Sequence, residues 1–322
     1  MQPVLRTLCF LLLTLCVLHL SGVRAAPLRV VTTVAPLTDM TAHIGGEAIH
    51  LHGLVPEGVN AHTFQPTPRD VRYLAEADLV ILNGLALEIP TEKLARSSGK
   101  PGVTLLKLGD NTLTRAEWLF DASFPQAQGQ PNPHLWLNVA HAMTYVRLIR
   151  DQLSALDGAN AVRYHRNAAA YHHRLQQLDR CIAHAIDSIP SDHRILLTYH
   201  DSWPYFAARY GMRVLGAMQP ANFAEPSARE VARIIRQIRQ TNVPAIFGSA
   251  VFPSPVLATI AAETGVAYVQ ALRDDVLPGA PATPEHSYIG MMLANVRTMV
   301  TALGGKPAIL EACTPDLLAK KA

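Results

Sequence analysis

Between Ala159 and Ser188 the chain runs for 30 residues without a proline or a glycine. Within and just beyond this run Leu175, Leu178, Ile182, Ala185 and Ile189 recur at three-and-four spacing, which draws one apolar stripe down a helix. Asp157-Gly158 precedes the run and Pro190 follows it, a start and a stop for that helix. About 30 residues at 1.5 Å each make a rod of about 45 Å. That is long enough to brace two stacked lobes, and a single rigid strut should restrict hinge motion between them.

The flanking segments fit two lobes. Before the long helix, strand-like runs at Leu28–Val34, Ile49–Leu54, Leu79–Leu82 and Val103–Leu108 alternate with helix-like runs at Leu37–Ile44 and Thr67–Ala77. After it, strands at Arg194–Tyr199, Arg213–Ala217, Ala245–Phe247 and Ala267–Gln270 alternate with helices at Ser202–Tyr210, Ser227–Thr241, Pro255–Thr264 and Tyr288–Leu303. Strand–helix alternation of this kind predicts an α/β fold: two lobes, each a mostly parallel sheet flanked by helices, joined by one long backbone helix. The expected boundaries are an N-terminal lobe over 26–157, the linker helix over 158–189 and a C-terminal lobe over 190–322. With 322 residues, 49% of them hydrophobic, the chain is long enough for two such cores.

The first 25 residues read as a secretory signal peptide. Arg6 supplies the positive start, Leu8–Leu20 the apolar stretch, and Val23-Arg24-Ala25 the small-x-small cleavage site. The apolar run is too short for a membrane span. Cys9 and Cys16 both follow leucine rather than a small residue, so a periplasmic protein without a lipid anchor is expected. The formal charge of +3 falls to about +1 once Arg6 and Arg24 are removed, which leaves no basic footprint for nucleic acid. Cleavage leaves Cys181 and Cys313. In an oxidising compartment they can pair, or they can remain two isolated thiols.

The candidate chemistry is that of a metal. Of 14 histidines, three lie where a loop follows an apolar stretch. His62 stands in the stiff loop Pro56–Pro68, His134 in Pro131-Asn-Pro-His-Leu-Trp-Leu-Asn138, and His200 at the carboxyl end of the strand Ile195–Tyr199. The carboxyl ends of strands are where open α/β sheets bind ligands. Asp274 and Asp275 follow the last strand and compete for a fourth position. Each residue also has a plain reading, as a loop, packing or capping side chain. Successive members of the set His62, His134, His200 and Asp275 are 72, 66 and 75 residues apart, so no local zinc motif links them and only the fold can bring them together, in the cleft between the lobes. His286, in a proline-rich loop, is a candidate accessory ligand. No His-x-Glu-x-x-His, Cys-x-x-Cys, phosphate loop or Gly-x-Ser-x-Gly elbow is present.

The surroundings of these residues resemble the TroA-like family of zinc- and manganese-binding solute-binding proteins of ABC transporters. The resemblance spans essentially the whole mature chain. It rests on Gly58–Val71 around His62, Ala77–Glu88, Asn132-Pro-His-Leu-Trp-Leu137, Thr198-Tyr-His-Asp-Ser-Trp-Pro-Tyr-Phe206, and Asp275-Val-Leu277 followed by Tyr288-Ile-Gly-Met-Met292 and Asn295. It implies His62 and His134 as ligands from one lobe, and His200 and Asp275 from the other. Asp275 is favoured over Asp274 because the family places its ligand two residues before a leucine, here Leu277. The implied partners are a membrane permease with its ATPase. A monomer is expected, and the resemblance leaves room for a periplasmic metallochaperone. Asn132 and Asn60-Ala61 depart from the acidic and Asp-Pro residues usual there, Ser249 replaces a common glutamate, and the His-rich loop of many zinc importers is missing from Asp121–Gln130.

Three imidazoles and one carboxylate suit zinc better than the harder manganese. The expectation is therefore a zinc carrier, not an enzyme, with manganese or another divalent metal as the alternative. A secreted zinc hydrolase needs three ligands, an open position and a general base, and no base motif accompanies this set.

Overall fold

The computed structural model describes residues 26–219, 225–241, 243–252 and 254–318. The expected signal segment, with Cys9 and Cys16, lies outside them.

Two four-stranded sheets form the framework. The first comprises β1 (Leu28–Thr32), β2 (Ile49–Gly53), β3 (Leu79–Leu82) and β4 (Thr104–Lys107), in the spatial order β2-β1-β3-β4. The second comprises β5 (Ile195–Thr198), β6 (Arg213–Ala217), β7 (Ala245–Ser249) and β8 (Ala267–Leu272), in the order β6-β5-β7-β8. Every pairing is parallel, so the two halves share one topology. The central strands β3, β5 and β7 are buried along their whole length, as expected of parallel strands covered on both faces.

The first half contributes α1 (Ala35–Gly45), α2 (Pro68–Glu76), α3 (Ile89–Ser98) and α4 (Val139–Leu156). The start of α2 is fixed by a capping box between Thr67 and Asp70, with Pro68 in the first turn. The expected long helix is α5 (Ala161–Asp187), 27 residues and about 40 Å long. It begins two residues later than its proline-free run, because Gly158–Asn160 form a 3-10 turn. The Asp157 carboxylate ties that turn, accepting from Asn160 Nδ2 at 2.7 Å and from Tyr164 Oη at 2.8 Å. The second half adds α6 (Pro204–Tyr210), α7 (Ala228–Thr241), α8 (Val256–Thr264), α9 (Tyr288–Ala302) and α10 (Ala308–Leu318).

Helix α5 packs on α1 and α4 from the first half and on α9 and α10 from the second. One continuous apolar core runs from Val30 and Leu37 through Tyr171, Leu175 and Ile182 to Met292 and Leu310. The halves thus share a buried interior, where separate domains would meet at a small polar interface. The two cysteines are joined as the Cys181–Cys313 disulfide, which ties α10 to the strut.

Candidate metal centre

His62, His134 and His200 converge. One ring nitrogen of each lies within 4.8 Å of those of the other two, and the ring centroids are 5.0 to 5.3 Å apart. His62 is reached from the carboxyl end of β2, His134 from the long loop after β4, and His200 from the end of β5. Strand ends of both sheets therefore face one another across a cleft, as open α/β sheets present ligand sites.

The ring orientations are imposed by neighbours. Asn132 Oδ1 stands 2.9 Å from His134 Nδ1, and Gln219 Oε1 stands 2.9 Å from His200 Nδ1. An amide oxygen only accepts, so both Nδ1 atoms carry the proton and both Nε2 atoms present a lone pair. Those two lone-pair nitrogens face each other at 3.2 Å. Two acceptors in that position have no proton to share. The spacing is the edge of a tetrahedron around an ion with nitrogen at 2.0–2.1 Å, about 3.3 Å.

A shared device holds the two histidines of the first half. Asn60 Oδ1 accepts from the backbone N–H of His62 at 2.9 Å, and Asn132 Oδ1 accepts from that of His134 at 3.0 Å. Each is an asparagine two residues before its histidine, folding the loop into an Asx-type turn. The Asn132 amide is itself fixed, donating from Nδ2 to Asp121 Oδ2 at 2.7 Å and to the Asp201 carbonyl at 2.5 Å. The departures at positions 60 and 132 thus keep the hydrogen bonds while removing negative charge. Ser249 shapes the turn after β7, where its hydroxyl accepts from the N–H groups of Val251 and Phe252 at 3.2 and 3.3 Å. That turn brings the Phe252 ring to 4.7 Å from His200. Phe124 and Trp136 complete an aromatic collar, 5.5 Å from His62 and 5.2 Å from His134.

Burial sets the electrostatics. It pushes His62 and His134 well below the ordinary imidazole range, with His200 adding repulsion in both cases. Both are therefore neutral at neutral pH, the form that binds a metal. Nearby, burial and the adjacent Asp201 raise Asp121 to about 8.

The fourth position lies between two neighbouring aspartates. The carboxylate that approaches the cluster is that of Asp274, with Oδ2 3.9 Å from His200 Nε2. Neither Asp274 nor Asp275, the one expected from its spacing to Leu277, belongs to the group of three histidines whose nitrogens lie within 4.8 Å of one another; for Asp275, burial and the Asp274 charge raise the carboxyl well above the usual range, and Glu57 adds to the effect. The backbone before the pair is held on both sides. Asn295 clamps Arg273, accepting from its N–H at 2.8 Å and donating to its carbonyl at 2.6 Å. Trp136 Nε1 donates to the Asp274 carbonyl. These bonds aim the first aspartate of the pair at the histidines. Asp274 is 4% exposed and its Oδ1 has no hydrogen-bond partner. His286 also lies outside the cluster, with Nε2 3.2 Å from Glu57 Oε1.

Two supporting residues escaped the sequence reading. Asn83 Nδ2 donates to the Pro133 carbonyl at 2.9 Å, bracing the His134 loop from β3. Asn83 is held in turn by Tyr145 Oη, and its backbone N–H by Glu88 Oε1, both at 2.7 Å. Glu88 also accepts from Gly84 N–H and Thr33 Oγ1, stabilising a turn in which Gly84, Leu85 and Ala86 all have positive φ. Leu85 and Ala86 hold that conformation at a cost in strain. The Asn83-Gly84 pair closing a buried strand, with Glu88 four residues on, was the available signal.

Comparison with known proteins accords with the fold. The family model described as zinc-uptake complex component A, periplasmic (ZnuA), matches residues 30–302. The manganese ABC transporter substrate-binding lipoprotein PsaA of Streptococcus pneumoniae is 28% identical over 285 residues, covering 86% of this chain and 89% of PsaA. The iron-binding protein YfeA of Yersinia pestis is 29% identical over 281 residues, covering 87% and 88%. Among solved structures, the periplasmic zinc-binding protein TroA of Treponema pallidum superposes with a TM-score of 0.78 at 28% identity, covering 87% of this chain and 99% of TroA. PsaA is named a lipoprotein, against the expectation here of a protein without a lipid anchor.

Proposed function

The chain belongs to the zinc-uptake component A family, the metal-binding, extracytoplasmic substrate-binding proteins of ABC transporters, and from that premise we propose that its cargo is Zn2+. Members of this family bind and hand over a metal; they are not enzymes. On this reading His62, His134 and His200 are the nitrogen ligands and Asp274 supplies the oxygen. Residues 26–157 and 190–322 act as the two lobes, with 158–189 as the linker.

One observation carries the choice of zinc: two imidazole Nε2 lone pairs face each other at 3.2 Å because each Nδ1 is tied to a neutral amide oxygen. Amide partners leave the imidazoles neutral and without added negative charge. Two such nitrogens, with that of His62 beside them inside an aromatic collar, suit a borderline tetrahedral ion better than one that prefers oxygen. Manganese is the second reading, favoured by the metal in the name of PsaA.

A competition titration of the metal-free protein with zinc and manganese against a chromophoric chelator separates the two. Zinc should bind far more tightly, and His200→Ala should weaken it by orders of magnitude. Equal or tighter manganese binding would reject the choice of metal. Undiminished zinc affinity in His200→Ala would reject the ligand set. Asp274→Asn and Asp275→Asn, compared in the same titration, assign the oxygen ligand, and the larger loss is expected at Asp274.

A further inference from the structure

Away from the histidine cluster, a cavity of about 450 Å³ opens where three parts of the molecule meet. Its walls come from α1 (Asp39, His43), from the strut α5 (Tyr171, Arg174) and from the loop before α9 (Thr283, His286). Nine side-chain N or O atoms among the described residues are buried without a hydrogen-bond partner. Three of them, Arg174 Nε, Thr283 Oγ1 and His286 Nδ1, belong to this one wall. A buried polar atom left without a partner costs stability, so their gathering in one place calls for an occupant.

The charges say what kind. Arg174 spends one terminal nitrogen on the Leu317 carbonyl, and no ion pair joins it to a carboxylate among the described residues. Asp39, the acid in the wall, is already engaged. Its Oδ2 accepts from Tyr288 N–H at 2.9 Å and from Tyr171 Oη at 3.3 Å, and its Oδ1 lies 3.7 Å from His43 Nε2. The Asp39 oxygens are thus turned to other donors, and Arg174 is left as a cation without a carboxylate partner among the described residues. Arg174 Nε–H and the Thr283 hydroxyl are free to donate. His286 Nε2 faces Glu57 Oε1 at 3.2 Å; in the tautomer that donates there, Nδ1 is an acceptor. The loop over the cavity also holds Ala282 at φ +71°, one of the few non-glycine residues in that strained region. Strain of this kind gathers at binding sites.

We propose that this cavity binds a small oxyanion that also carries a hydroxyl group, the shared chemistry of a hydroxy-carboxylate and of hydrogen phosphate. Arg174 supplies the counter-charge, Thr283 donates to the anion, and His286 Nδ1 accepts from its O–H. Because the wall draws on both halves and the strut, the occupant bridges all three.

Calorimetry on the metal-free full chain tests this, with malate, succinate and inorganic phosphate titrated separately. Malate or phosphate should bind, and succinate, which lacks the hydroxyl, should bind more weakly than malate. Malate binding with phosphate silent assigns a hydroxy-carboxylate, and the reverse assigns phosphate. Arg174→Gln should weaken binding by about tenfold or more, the loss of a charge-assisted contact, and Thr283→Ala by less. Zinc titration of each variant, unchanged from the parent, shows that the fold survives. The proposal fails if neither malate nor phosphate binds, if Arg174→Gln binds them undiminished, or if His134→Ala abolishes the anion heat and so moves it to the histidine cluster.

Discussion

The indole N–H of Trp136 donates to the backbone carbonyl of Asp274 across the cleft at 2.5 Å. Two residues before Trp136 lies His134, and Tyr288 Oη donates back to the Trp136 carbonyl at 2.6 Å. A buried side chain of one half thus holds the loop that carries the carboxylate of the other. Trp136→Phe keeps the ring and removes the donor, leaving a buried carbonyl unpaired at a cost of about 1–3 kcal/mol. The expected result is a zinc affinity lower by about tenfold, expressed mainly as faster dissociation in stopped-flow chelator exchange. An unchanged off-rate would mean that the Asn295 clamp on Arg273 positions Asp274 by itself.

Asn132 works on His134 from two sides, at the ring and at the backbone N–H. Partners that orient a metal-binding histidine are typically worth about 10–100-fold in affinity. Asn132→Ala should fall in that range by competition titration while the protein stays folded. Asn132→Asp should be the less stable variant in thermal melts. It replaces the amide donor with a third carboxylate facing Asp121 and the Asp201 carbonyl.

Two buried groups give opposite pH slopes. The folded values of His62 and His134 lie well below 6.5, chiefly through burial. As pH falls below 6.5 the unfolded chain takes up protons that the folded metal-free chain refuses. Their contribution is therefore intact above pH 6.5 and lost progressively below it. Glu88 runs the other way, raised by burial from 4.5 to about 7. Its contribution is present below pH 4.5 and lost as pH rises through about 7, at most about 3 kcal/mol for that shift. Glu88→Gln should flatten the upper slope of a stability curve measured by denaturant titration between pH 5 and 8. The slope is the readout, because the new amide nitrogen faces the Gly84 N–H and lowers stability throughout. A variant with the parent's slope would remove Glu88 from the account.

The Cys181–Cys313 bond closes a separation of 132 residues. Cross-links over long loops typically contribute about 2–4 kcal/mol. Cys313→Ser should lower the melting temperature accordingly. Zinc affinity should be unchanged, since neither cysteine lies on a loop carrying a histidine of the cluster. A large loss of affinity would reveal coupling between α10 and the cleft.

Much of this was readable in the chain. Long uninterrupted periodicity gave the strut, and four-residue apolar runs gave strands such as Leu79–Leu82 within a residue of their observed ends. Parallel sheets tolerate such reading because both faces of their strands are apolar. The three histidines were identifiable from position at strand ends together with the flanking motifs. The choice between Asp274 and Asp275 was not, because neighbouring aspartates differ only in which way the backbone aims them. That aim is set by Trp136 and Asn295, residues 138 and 21 positions from Asp274. The repeated Asn-x-His at 60–62 and 132–134 was a local signal for the Asx turns, and it went unread because asparagine there looked only like a lost charge. Helices α3 and α10 were missed for want of a strong apolar stripe.

The matching topology of the two sheets has a consequence in coordination chemistry. On the proposed ligand set each half offers only a bidentate arm, two imidazoles on one side and an imidazole with a carboxylate on the other. The protein is a two-armed chelator whose tether is a 27-residue helix. Its affinity is then a product of two modest ones, multiplied by the effective concentration that a stiff tether imposes. No ligand needs to be protonated or replaced for the metal to leave. Spreading the arms by a few ångströms turns one tight site into two weak ones, so a partner that grips both halves controls release by geometry alone.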